Sequence, residues 1–254
     1  MAADTGAETN VWKRFFDLIA MIMKLVRDGN RKLEDVCDFI QLIRDRAGFF
    51  VDFKAFLASR KEPATTPQSE LSLALDPRSL WTQIYAKLGI TADFTDVPIP
   101  AKPEGDYWPI GVFKGTLMNQ IVLGLQKHFK VYFYTEDLDR SVTQNDRTAE
   151  KSYFIWVKAT QEADPELKNL SANQLKKKEI KGITLLERLL LEALYFLVVK
   201  PGQHLDKENV TLCSGSRVSG GDVPCVGWDG DGVDVDWYGP DRRFVGTRGR
   251  AVVS

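Results

Sequence analysis

The chain has 254 residues and a formal net charge of −1, with 44% hydrophobic and 27% charged residues. Those are the proportions of a folded protein whose core needs no metal or disulfide framework, and the near-zero charge argues against a general nucleic-acid binder. Three cysteines (Cys37, Cys213, Cys225) and two histidines (His128, His204) supply no zinc spacing and no metalloprotease helix, and no phosphate-binding glycine loop occurs.

The first sixty residues read as helical. Val11, Phe15, Leu18, Ile19, Ile22, Leu25 and Val26 recur at spacings of three and four, the signature of one helix face. Two further amphipathic pieces carry Leu33, Val36, Cys37, Ile40 and Ile43, and then Phe49, Phe50, Phe53, Phe56 and Leu57. Such a hairpin or small bundle is expected to pack on the rest of the chain, to build a homo-oligomer or to dock a partner. Asp4 and Glu8 precede the apolar run with no small-residue cleavage site after it, so the N-terminus does not read as a signal peptide. The stretch from Phe15 to Val26 is too short, and too charged at Asp17 and Lys24, to span a bilayer. A cytoplasmic location is the default expectation.

Residues 61–106 read as a linker with one short helix over 78–88, with Leu80, Trp81, Ile84, Tyr85 and Leu88 inward and Gly89 as the stop. From Tyr107 the pattern turns to mixed α and β. Tyr107–Phe113, Val131–Tyr134 and Tyr153–Val157 are strand candidates rich in aromatic and β-branched residues. Thr116 is expected to cap a helix reaching about Phe129, and Thr135–Lys151 to form a loop. Ser171 with Gln174, and Thr184 with Glu187, form two capping boxes. The second opens the strongest helix, whose buried face is Leu185, Leu186, Leu189, Leu190, Ala193, Leu194 and Leu197.

After Lys200 the chain becomes rich in glycine and aspartate. Val223, Val226 and Trp228, and then Val233, Val235 and Trp237, form the apolar sets of two strands joined by a tight turn at Asp229–Gly232. A last strand is expected from about Thr247 to Val253. The face opposite the apolar sets is unusual: it is expected to hold Asp222, Cys225, Gly227, Asp229, Asp231, Asp234, Asp236, Tyr238 and Gly239, mostly poor strand formers. A surface with so little local propensity must be held by its inner side, which suggests function. Four readings compete for it. A Ca²⁺ loop fits poorly, because Val233 sits where a ligand is wanted and no Glu closes the loop. A carboxylate pair for glycoside hydrolysis is available on any acidic face. The remaining two are a merely solvated face and a surface whose residues are free to change. Cys213 and Cys225 could meet across strands, but their plain reading is buried thiols.

A resemblance favours the last of the four. The chain from about Tyr132 to Ser254 resembles the variable proteins of diversity-generating retroelements. The residues that carry it are Tyr134-Thr-Glu-Asp-Leu-Asp139, Glu162-Ala-Asp-Pro-Glu-Leu-Lys-Asn-Leu-Ser171 and Lys181-Gly-Ile-Thr-Leu-Leu-Glu-Arg-Leu-Leu-Leu-Glu192. Gly202-Gln-His-Leu-Asp206, Asn209-Val-Thr-Leu-Cys-Ser-Gly-Ser-Arg217, Val223-Pro224 and Arg248-Gly-Arg-Ala-Val-Val-Ser254 complete the series. The resemblance implies an α+β protein, with a C-type lectin-like fold over 107–254 behind the N-terminal helical segment and a variable region over about 217–249. It further implies that template adenines are rewritten, so that an Asn codon scatters to Asp, Gly, Val, Cys, Phe or Tyr.

On that basis the variable, ligand-contacting candidates are Val218, Asp222, Cys225, Gly227, Asp229, Asp231, Asp234, Asp236, Tyr238, Gly239, Arg242, Phe244 and Gly246. The scaffold set is Arg217, Val223, Pro224, Trp228, Val235, Trp237, Arg248 and Arg250, while Thr247 and Gly249 depart from the family's usual ending. The implied partner is a macromolecular ligand, foremost a protein, with no cofactor, no metal and no nucleic acid. Two other function classes stand beside this one. One is an oxidase of the related formylglycine-generating type using Cys213 and Cys225; the other is a structural subunit assembled through the N-terminal helices.

Overall fold

In a computed structural model of the protein, residues 71–254 are described. The three helices expected at the N-terminus, Cys37, the oligomerising role given to those helices and the whole polar stretch before Leu71 lie outside the described residues.

Helix α1 (Pro77–Leu88) starts where Asp76 accepts the Arg78 amide and Pro77 supplies a preset first turn; it stops at Gly89, whose φ of 83° is left-handed. Leu80, Trp81, Ile84, Tyr85 and Leu88 are all buried. Trp81 donates its indole N–H to the Pro109 carbonyl at 3.0 Å, and Tyr85 meets Phe94 and Phe113 edge-on. This helix is part of the main core, so the expected linker over 61–106 is corrected: the compact unit begins at Gln68. Val97, which precedes Pro98, is buried in the same core.

Strand β1 (Tyr107–Val112) pairs antiparallel with β4 (Tyr153–Lys158), setting Ile110 opposite Ile155. The terminal β10 (Val252–Val253) adds to the other side of β4. A second sheet has the order β2-β8-β7-β5-β9. Its members are β2 (Val131–Phe133), β5 (Val210–Leu212), β7 (Val223–Trp228), β8 (Val233–Tyr238) and β9 (Thr247–Gly249). A two-stranded ribbon joins β3 (Val142–Asn145) to β6 (Ser216–Val218). The architecture is α+β, and no helix among the described residues is long and apolar enough to cross a membrane.

Three expected elements differ. Thr116 does not cap the next helix, because its hydroxyl is turned to Tyr85 Oη; α2 (Met118–Leu125) is shorter, and its first amides donate to the Asp139 carboxylate at 2.7 and 3.0 Å. The stretch expected as a loop holds α3 (Leu138–Ser141) and β3. The last strand is split into β9 and β10 around Arg250, whose side chain is buried.

Both capping boxes form, on α4 (Ala172–Lys177) and on α5 (Leu185–Leu194), and α5 continues as a π-helical turn, Tyr195–Val199. Helix α5 is enclosed on nearly all sides: Glu187, Arg188 and Glu192 are buried along with its leucines except Leu186, which, like Leu197 beyond it, is only half-buried. Buried charges need partners. Glu187 accepts from Arg147 and from the Tyr153 hydroxyl. Arg188 donates to Glu192 at 2.8 Å and to Asp206 at 3.0 Å. Arg250 approaches Asp206 from the far side at 3.0 Å. The second Arg188 nitrogen lies 2.8 Å from Asp206 but off the hydrogen-bond line, so it adds attraction without a further directed bond.

Candidate functional site

The β7–β8 hairpin sets the site. Asp229 caps its turn, accepting the amides of Asp231 and Gly232 at 2.9 and 2.8 Å, and these bonds hold the Asp229 carboxyl below its ordinary pKa. The register places Val226 opposite Val235, Gly227 opposite Asp234, Cys225 opposite Asp236 and Val223 opposite Tyr238. Alternation then divides the hairpin into two faces. Val226, Trp228, Val233, Val235 and Trp237 face the main core. Val223, Cys225 and Tyr238 belong to the other face, where a smaller apolar cluster gathers Leu167, Ala172, Leu175 and Leu212.

This geometry corrects several expectations. Cys225 does not point to solvent: it is 2% exposed, with Leu212 of β5 across from it. Gly227 is also enclosed, since a Cβ there would stand 3.1 Å from Val210 Cγ2. Val223 is not on the same face as Val226, because the two are an odd number of residues apart. The second cluster covers one end of the outer face, a contribution from α4 and the segment before it that the strand pattern alone does not reveal.

The uncovered part is a shallow pocket of about 230 Å³. Cys225, Gly227 and Val210 form its apolar side, Asp229, Asp234 and Asp236 its acidic side, and Tyr238 its aromatic wall, with Trp228 at its edge. The Asp234 Oδ1 atom is buried without a hydrogen-bond partner. Burial first, and then the like charges of Asp236 and Asp229, push the Asp234 carboxyl above its ordinary pKa. Burial also pushes the thiols upward, Cys225 to about 12 and Cys213 well above the ordinary value. Both cysteines are free, and thiols held neutral in this way are weak nucleophiles.

Beside the pocket, the Arg242 guanidinium lies 4.3 Å from the centre of the Tyr238 ring, and Phe244 meets Tyr238 edge-on at 6.5 Å. Asp222 and Gly239 are near one another at the strand ends, and Gly246 lies against the Phe244 ring. Two candidates stand apart. Asp231 is tied to β2 by Lys130 at 2.8 Å and by the Tyr132 hydroxyl at 2.7 Å, which hold its carboxyl below the ordinary range. Val218 sits in the small ribbon opposite Val142 and packs on the main core.

The pattern reading did not name Val210, and it placed Trp228 in the scaffold alone. Trp228 is held by the His204 ring, stacked on it at 3.7 Å and 9°. His204 Nδ1 is in turn 3.0 Å from Glu192. The only signal of this in the sequence was the position of His204 within one of the segments carrying the resemblance. No three His, Cys, Asp or Glu side chains among the described residues converge in a way that would hold a metal ion. The chain matches no family model, no curated protein and no solved structure.

Proposed function

We propose that the chain is a hypervariable ligand-binding protein on a C-type lectin-like fold, of the kind diversified by a diversity-generating retroelement. It binds through the outer face of the β7–β8 hairpin and the turn region after it. One observation carries this reading: five of the seven segments that resemble the family are joined by polar contacts, buried around Asp206 and more exposed at Glu162, and most of the residues expected to vary lie outside them. Asp206 accepts from Arg188, Thr211, Arg250 and the Ala163 amide. Asp164 accepts the Ala251 amide, and the Glu162 carboxylate gathers the Lys207 and Glu208 amides with the Asn209 side chain. Stretches from 162 to 251 are thus clamped together. Asp222, Asp236, Gly239, Arg242 and Phe244 take no part in that network and are half-buried or exposed.

A rigid base with replaceable outward side chains is the physical requirement for a binding surface that must fold whatever it displays. Tyr238 and Phe244 supply large, stiff contact area and the polar neighbours supply adaptable contacts, as in an antibody combining site. The ligand class is macromolecular, foremost a protein. Sequencing the DNA around the gene tests the reading. A reverse transcriptase gene and a near-identical repeat differing from the 217–249 codons at template adenines are expected; a locus with neither overturns the proposal.

A further inference from the structure

The outer face carries an unbalanced charge, and its pocket has the size of a single side chain. Its volume of about 230 Å³ is below the ~300–1,000 Å³ typical of sites for free small molecules, which suits one anchoring group of a larger partner. Among the described residues, Asp229, Asp234 and Asp236 have no Lys or Arg nitrogen within ion-pair distance, whereas the neighbouring Asp231 is matched by Lys130. A neutral partner closing over these carboxylates would strip their water and return nothing, a cost that the unpartnered Asp234 Oδ1 already shows in part. A metal ion would need three converging ligands, which these carboxylates, spaced along a strand, do not provide.

We propose that this pocket takes an arginine side chain of a protein partner. The inference rests on the binding-face reading above and adds the chemistry of the occupant. A guanidinium is planar, donates along its edge to carboxylates and stacks on aromatic faces. The pocket presents those two features side by side: Asp234 and Asp236 on β8, with Tyr238 two residues further along the same face. Tyr238 already receives a guanidinium on its ring, that of Arg242, which pairs with none of the three pocket carboxylates.

The test is selection of a phage-displayed random peptide library on the full chain. Selected peptides are expected to be enriched in arginine. Replacing that arginine by citrulline, its neutral near-isostere, should weaken binding about tenfold or more. The combined Asp234→Asn and Asp236→Asn change should do the same, with unfolding midpoints recorded to show that the isosteric variant still folds. Peptides that are lost on Tyr238→Ala and Phe244→Ala but indifferent to citrulline overturn the arginine inference and leave the binding face standing. Peptides indifferent to all of these changes, or no selected peptide at all, count against both.

Discussion

Asp206 holds four donors in a space from which water is excluded, and it does so from a left-handed backbone with φ of 50°. Asn adopts that conformation at least as readily as Asp, so Asp206→Asn keeps the backbone and shape but removes the charge and turns one acceptor oxygen into an NH2 group that faces two of the four donors. Two buried guanidiniums would then share one carboxylate less. The expected loss is about 3 kcal/mol or more, read from urea unfolding of both proteins; a difference under about 1 kcal/mol would show that the network is not what clamps the fold. Asp234 behaves in the opposite sense. Its folded carboxyl is raised above 3.8, so the folded state binds more protons than the unfolded state once pH exceeds that value. Its favourable contribution is complete at lower pH and declines as pH rises through the folded value. Asp234→Asn is therefore expected to raise the melting temperature at pH 7 and leave it nearly unchanged at pH 3. Equal shifts at the two pH values would remove the electrostatic explanation.

At the scale of elements, propensity and packing give different answers for α2. Gly124 lies inside this helix, where Ala is better by about 1 kcal/mol on intrinsic preference. A Cβ at that position would stand 2.8 Å from Leu88 Cβ and 2.9 Å from the Leu88 carbonyl oxygen, both parts of the C-terminal turn of α1 that cannot swing aside. Gly124→Ala is accordingly expected to destabilise by about 1–3 kcal/mol in equilibrium unfolding, and a stabilised variant would mean that α1 and α2 separate easily. The hairpin shows the same division of labour. Its turn is written locally, in Asp229, Gly230 and Gly232, and its two faces follow from the register. What covers each face is decided elsewhere: α5 on the inner side, Leu167 and Leu175 on part of the outer side. That partial cover leaves Asp234, Asp236 and Tyr238 accessible while Cys225 is closed off.

At the scale of the molecule, the compact unit starts at Gln68. Trp81, Ile84 and Tyr85 are 0% exposed, packed against β1 and the aromatic group of Phe94 and Phe154. A fragment beginning at Gln68 is expected to unfold cooperatively by circular dichroism, and one beginning at Tyr107 to lack a cooperative transition, because it exposes the surface that α1 covers. Cooperative melting of the shorter fragment would restore the linker reading of 61–106. By itself the sequence determined the elements whose causes are local. Helix α1 was legible from its apolar spacing and Gly89, the two capping boxes from residues three apart, and the β7–β8 hairpin from alternation around a glycine-rich turn. Only the tertiary structure decided that α1 is core, that Arg188, Glu192 and Asp206 neutralise one another inside it, and that Cys225 is hidden while Asp234 is not. Those outcomes depend on partners distant in the chain, and no periodicity within a single segment records which surface will come to lie against it.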